Sequence, residues 1–154
     1  MKKTAAVIMA ATMFVVLAGA SMAGLWGGKV KTLTPAKGRV AIPVASIADG
    51  KAHHFKVQAG DGVMVTFFVL KSKDGVIRSA IDACDVCYRA GKGYEQSGDE
   101  MVCLNCGMRF ASARINEVKG GCNPAPLART IEGNTLVIAM ADIDRNSWYC
   151  AYKK

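Results

Sequence analysis

The chain has 154 residues and a formal net charge of +8. Its first 23 residues hold Met1, Met9, Met13 and Met22, half of its methionines, and almost no polar side chains. About 131 residues then remain to fold, which is enough for one domain and excludes a large multidomain enzyme. The basic excess is spread over Lys29, Lys31, Lys37, Lys71, Lys73, Lys92, Lys119, Lys153 and Lys154 without interleaved aromatic residues, so it reads as a solvated face and gives no support to nucleic-acid binding.

Residues 1–23 have the layout of an export signal: Lys2 and Lys3, an apolar run from Thr4 to about Ala20, and a small-residue end at Ser21-Met22-Ala23. Cleavage after Ala23 is the expectation. The alternative is a retained anchor, because the apolar run is near the lower length limit for crossing a bilayer. No cysteine follows the run and no twin arginine precedes it, so the expected route is export of an unfolded, unlipidated chain that gains any metal outside the cytoplasm.

Residues 24–43 carry glycine, proline and lysine without apolar periodicity and read as a linker that gains order around Val40–Val44. The domain proper is expected over 44–154. A short strand is expected over Lys51–Val57, then a strand rich in β-branched and aromatic residues over Val63–Lys71. Asp74-Gly75 turns it into a second strand, Val76–Ala80, because this pair suits the positive-φ positions of a tight hairpin. From Ile81 to Cys122 periodicity fails while glycine and cysteine rise, as in a segment held more by bonds to sulfur than by an apolar core. A short helix over Asp82–Ala90 is the one helical candidate there. Glu132-Gly133-Asn134 then turns the chain into a strand over Asn134–Ala141. The expected fold is mainly β, a β-rich α+β single domain with a cysteine-rich, metal-stabilised insert.

All six cysteines follow residue 83. Cys84, Cys87, Cys103 and Cys106 form two C-x-x-C pairs separated by fifteen residues, a spacing that lets two tight loops present four thiolates to one tetrahedral ion. Loop N–H groups can hydrogen-bond those sulfurs and offset their charge, and Gly107 can take the positive φ needed after Cys106. The ions that suit such a set are zinc, a single iron, or the irons of a small iron–sulfur cluster. Covalent haem is excluded, since Tyr88 and Gly107 stand where a histidine would be needed. Disulfide pairing remains a competing reading in an oxidising compartment, and thiol redox catalysis a weaker one.

Cys122 lies in Gly120-Gly121-Cys122-Asn123-Pro124-Ala125-Pro126, whose glycines and prolines impose an unusual backbone path. It reads either as a further ligand, to the same centre or a second one, or as a disulfide partner of Cys150. Cys150 itself, beside Trp148 and Tyr149 near the chain end, reads as a disulfide or spare thiol. His53 and His54 are the only histidines. As strand neighbours they point to opposite faces, so at most one can reach a given site. Met64, Met101, Met108 and Met140 are too scattered for a methionine-rich copper site. No hydrolytic triad, phosphate-binding glycine loop or catalytic carboxylate pair is evident, so a non-catalytic role is favoured over an enzyme.

Phe67-Phe68-Val69-Leu70-Lys71, Asp74-Gly75, Ile81-Asp82-Ala83-Cys84-Asp85-Val86-Cys87, Gly93-Tyr94, Val102-Cys103-Leu104-Asn105-Cys106-Gly107, Phe110 and the segment from Gly120 to Leu127 together resemble the FtrD-like family of membrane iron–sulfur proteins. The resemblance spans roughly Val63 to Ile138. It implies that Cys84, Cys87, Cys103, Cys106 and Cys122 are the metal-linked cysteines, with an iron–sulfur cluster or iron as cofactor and zinc as the alternative. It also implies a redox or metal-handling role in bacterial ferrous iron uptake, with a membrane permease and a periplasmic iron-binding protein as partners. The chain corresponds to the soluble domain of such proteins, periplasmic or anchored to the outer face of the inner membrane. The alternative function is a structural zinc-binding or disulfide-stapled interaction module without redox activity.

Overall fold

A computed structural model describes residues 30–152; the expected export signal and the first part of the expected linker lie outside them. Among the described residues ten strands form three small sheets, so the fold is mainly β. The first sheet contains β1 (Lys31–Thr32), β3 (His53–Gln58), β4 (Met64–Lys71) and β5 (Ile77–Ile81), in the order β1-β3-β4-β5. The second is built from β2 (Arg39–Pro43), β9 (Thr130–Glu132) and β10 (Thr135–Ala139), with β10 in the middle. The third is a meander of β6 (Tyr94–Ser97), β7 (Glu100–Cys103) and β8 (Arg109–Ala111).

The architecture follows from β4. Every residue from Val65 to Leu70 is buried, as in a strand covered on both faces. Val65, Phe67 and Val69 pack into a core with Val40, Ile42, Leu136 and Ile138 of the second sheet. Phe68 and Leu70, on the opposite face, pack with Tyr94 and Met101 of the third sheet and with Ile115. Burying each of Phe67 and Phe68 contributes about 1.5–3 kcal/mol.

The hairpin through Asp74-Gly75 forms as expected, with Lys71 paired to Ile77 and Gly75 at φ 82°. Three local expectations change. The stretch read as a linker gains order earlier than expected: besides β2, which falls where order was expected around Val40–Val44 and pairs with β10 over all five of its residues, it carries β1. The strand expected to run to Ala141 ends at Ala139, where α1 (Met140–Arg145) begins. The helix expected over Asp82–Ala90 is reduced to a single 3-10 turn at Tyr88–Ala90. The insert is also more than a sulfur-held loop: its own sheet packs an apolar cluster against Phe68, Leu70 and Ala80, with the Cys84 and Cys103 side chains inside it.

Among the described residues, no helix is long and apolar enough to cross a membrane.

Candidate metal centre

Three loops bring the cysteines together. The first leaves β5. The Ile81 N–H donates to the Ala125 carbonyl and the Asp82 N–H to that of Thr66, at 2.8 and 2.9 Å. The chain then turns tightly through Cys84-Asp85-Val86-Cys87. The Cys87 N–H points at the Cys84 sulfur at 3.2 Å, and the Tyr88 N–H closes the turn on the Cys84 carbonyl at 3.1 Å.

The second loop leaves β7. Cys103 is its last residue and pairs across the meander with Tyr94. The Gly107 N–H donates to the Cys103 carbonyl at 2.8 Å. Gly107 has φ 76°, a left-handed conformation that a side chain would strain. The N–H groups of Asn105 and Cys106 donate to the Cys103 sulfur, and that of Met108 donates to the Cys106 sulfur. These are the sulfur-directed amides anticipated from the C-x-x-C spacing.

The third loop carries Cys122 and is fixed by the segment after it. The Ala125 N–H donates to the Ala83 carbonyl at 2.9 Å, and Pro126 bridges Ala80. The Ser79 hydroxyl donates to the Leu127 carbonyl at 2.8 Å. Residues 124–127 thus lie along the end of β5 and hold Cys122 beside the first loop.

Five sulfurs converge as a result. Those of Cys84, Cys87 and Cys103 lie within 4.8 Å of one another, and so do those of Cys87, Cys106 and Cys122. Cys87 and Cys122 are 3.9 Å apart, close to the roughly 3.8 Å edge of a tetrahedron with metal–sulfur bonds of about 2.3 Å. Both groups contain sulfur donors alone, which selects thiophilic ions over calcium or magnesium. The donor set therefore fits thiolate-bound iron, an iron–sulfur cluster or zinc.

The environments of the sulfurs differ. Cys84 and Cys103 are buried, Cys87 and Cys122 are half-buried, and Cys106 is exposed. Burial pushes the Cys103 thiol up to about 11, and burial likewise raises Cys122. The Met108 N–H draws Cys106 down to about 7, because a donor aimed at sulfur favours the thiolate.

Cys150 lies elsewhere. It sits in a 3-10 turn, Ser147–Cys150, with its sulfur accepting from the Thr66 N–H at 3.5 Å on the other face of β4. It packs in the first core and Cys122 against the second, so the Cys122–Cys150 pairing does not form, and no disulfide joins any of the six cysteines. Tyr149 and Cys150 are both packed into the first core here. The histidines diverge as strand neighbours should. His53 meets Asp49 at 2.7 Å, while His54 packs against Phe68 and lies 3.8 Å from Asp82. Neither belongs to the sulfur groups.

Three supporting residues had no role assigned from sequence. Tyr94 is buried, and its hydroxyl donates to the Cys122 carbonyl at 2.6 Å and meets the Cys84 sulfur. Burial first, then that sulfur, push the phenol far above its ordinary value. Asp82 accepts from the Tyr94 N–H at 2.7 Å. Tyr149 donates to Asp85, inside the first C-x-x-C. Asp82 and Gly93-Tyr94 stood among the quoted motifs, but only the fold shows what they touch.

Fold and site together define a β-rich domain with a cysteine cluster suited to thiophilic metal. A model of the membrane iron–sulfur containing FtrD-like proteins matches residues 47–149, and the chain belongs to that family. No curated protein matches the chain significantly. Among solved structures, the quaternary ammonium Rieske monooxygenase CntA in complex with an inhibitor gives a TM-score of 0.44 at 12% identity, covering 73% of this chain and 32% of that one. The chain thus spans about a third of that enzyme's length, a likeness too distant to bear on function.

Proposed function

We propose that the chain is an exported metalloprotein of the cell envelope whose five clustered cysteines hold iron, as an iron–sulfur cluster or thiolate-bound, for electron transfer or metal handling in iron acquisition. The observation that carries this reading is the convergence of Cys84, Cys87, Cys103, Cys106 and Cys122 from three separately anchored loops. Iron bound to thiolates supplies a one-electron ferric–ferrous couple.

The chain's own groups would set the character of that couple. N–H donors aimed at the sulfurs of Cys84, Cys103 and Cys106 stabilise negative charge there and favour the reduced state. Burial of Cys84 and Cys103 keeps water from one side, while exposed Cys106 leaves an edge toward solvent. Val86, Leu104 and Met108, within two residues of a cluster cysteine, are exposed apolar residues. They suit brief docking of an envelope redox or iron-uptake partner, for which a membrane permease and a periplasmic iron-binding protein are the candidates.

The test is optical. Protein recovered from its native compartment should show thiolate-to-iron absorption that bleaches on reduction and returns on oxidation. Colourless protein with bound zinc would replace this reading by the structural zinc module, since zinc has no redox chemistry.

A further inference from the structure

The five sulfurs form two overlapping triads: an inner one, Cys84, Cys87 and Cys103, and an outer one, Cys87, Cys106 and Cys122, share Cys87, and Cys103 also meets Cys106 between them. We propose that these are two adjoining metal compartments, each taking one thiophilic ion, joined through the Cys87 thiolate as a bridging ligand. This deepens the metal-binding reading above and rests on it.

Three observations carry the proposal. In each triad the sulfurs lie within 4.8 Å of one another, near enough to close on one ion, and in the outer one the 3.9 Å contact of Cys87 with Cys122 already has the spacing of a coordination edge. Charge points the same way. Five thiolates around a single divalent ion would leave three negative charges uncompensated in a part-buried pocket, whereas a second ion leaves one. Last, the geometry of Cys87 fits a bridge. Its sulfur lies within 4.8 Å of those of buried Cys84 and Cys103 and also of those of exposed Cys106 and half-buried Cys122, and a thiolate sulfur has lone pairs enough for two ions.

The compartments are unequal, and this gives each its own signature. The inner one sits in the apolar cluster with Phe68, Tyr94 and Met101 and should hold its ion against a chelator. The outer one includes the exposed Cys106 and should release its ion first.

The experiment is an anaerobic titration of the metal-free, full-length chain with cobalt(II). It is followed by thiolate-to-cobalt absorption, by electron paramagnetic resonance, and by elemental analysis after gel filtration. Saturation is expected at about two cobalt ions per chain. The resonance signal per cobalt should fall as the second ion enters, because a bridging thiolate couples the two spins. Cys106→Ser, at an exposed position, should halve the uptake to about one chelator-resistant ion, with the melting curve of its metal-free form unchanged. Cys87→Ser should abolish the spin coupling. Saturation of the wild type at one ion overturns the proposal but leaves metal binding intact, and so does loss of both ions in Cys106→Ser. No cobalt uptake would overturn the metal-binding reading as well.

Discussion

Gly93 stands where the chain passes closest to the Asp82 carboxylate. A methyl group there would collide with that carboxylate, and φ is 72°. Gly93→Ala should therefore cost about 2–4 kcal/mol of stability, from overpacking and left-handed strain together, read as a lower urea midpoint; an unchanged midpoint would mean that Asp82 swings aside freely. Tyr94 makes a more local contribution. Tyr94→Phe keeps the ring against Phe68 and Phe110 but removes the hydroxyl bond to the Cys122 carbonyl, worth about 1 kcal/mol. Amide exchange should rise at residues 120–124 and stay unchanged in β3–β5. At this scale the sequence displayed the sulfur donors plainly, because C-x-x-C spacing encodes a local geometry. It hid their supports, because Asp82 with Tyr94, Tyr94 with Cys122 and Tyr149 with Asp85 are contacts between residues distant in the chain.

The third sheet is the element least legible from sequence. Its strands have three or four residues, too few to establish a period, and Tyr94-Glu95-Gln96-Ser97 is mostly polar. Its apolar face is completed by Cys103, a residue whose chemistry draws attention away from its packing. β2 was legible only in part: order was expected around Val40–Val44, where Val40 and Ile42 alternate inward, but the glycines and prolines before them resemble a linker and hid β1. Because the sheet has its own core, metal removal should not unfold it. Chelation should raise exchange at residues 82–93, 103–108 and 118–124, where site formation and local folding are linked, and leave β3, β4 and β5 protected. Unchanged exchange in all three loops would show that they hold their shape without metal. The C-terminal turn gives a pH prediction. The Ser147 hydroxyl, then the Val63 N–H, hold the Asp61 carboxyl below its usual value. A depressed carboxyl stabilises the fold fully above its unfolded value near pH 4 and loses that contribution as pH falls through the folded value. The near-ultraviolet signal of neighbouring Trp148 should therefore shift below about pH 4, and Asp61→Asn should flatten the shift.

Across the whole molecule, the strand read from its β-branched and aromatic residues forms as β4, and the structure covers its two faces with one sheet each. The partners of those faces were not legible, since they come from Val40 and Ile42 on one side and Tyr94 and Met101 on the other. β2 also lies outside the family match at 47–149, yet it pairs with β10 inside it, so the folding unit is larger than the matched segment. Several exposed apolar residues stand near the sulfurs in the chain. Val86, Leu104 and Met108 flank the cysteines, while Trp148 and Tyr152 pack on Tyr88, which follows Cys87. Arg89 lies over the Tyr88 and Tyr152 rings and adds a cation to that group.

The account rests on iron bound by these sulfurs. X-ray absorption at the iron edge, on protein recovered from its native compartment, tests it most directly. The expected result is a first shell of sulfur alone at about 2.3 Å. A first shell of nitrogen or oxygen, or zinc in place of iron, would contradict it.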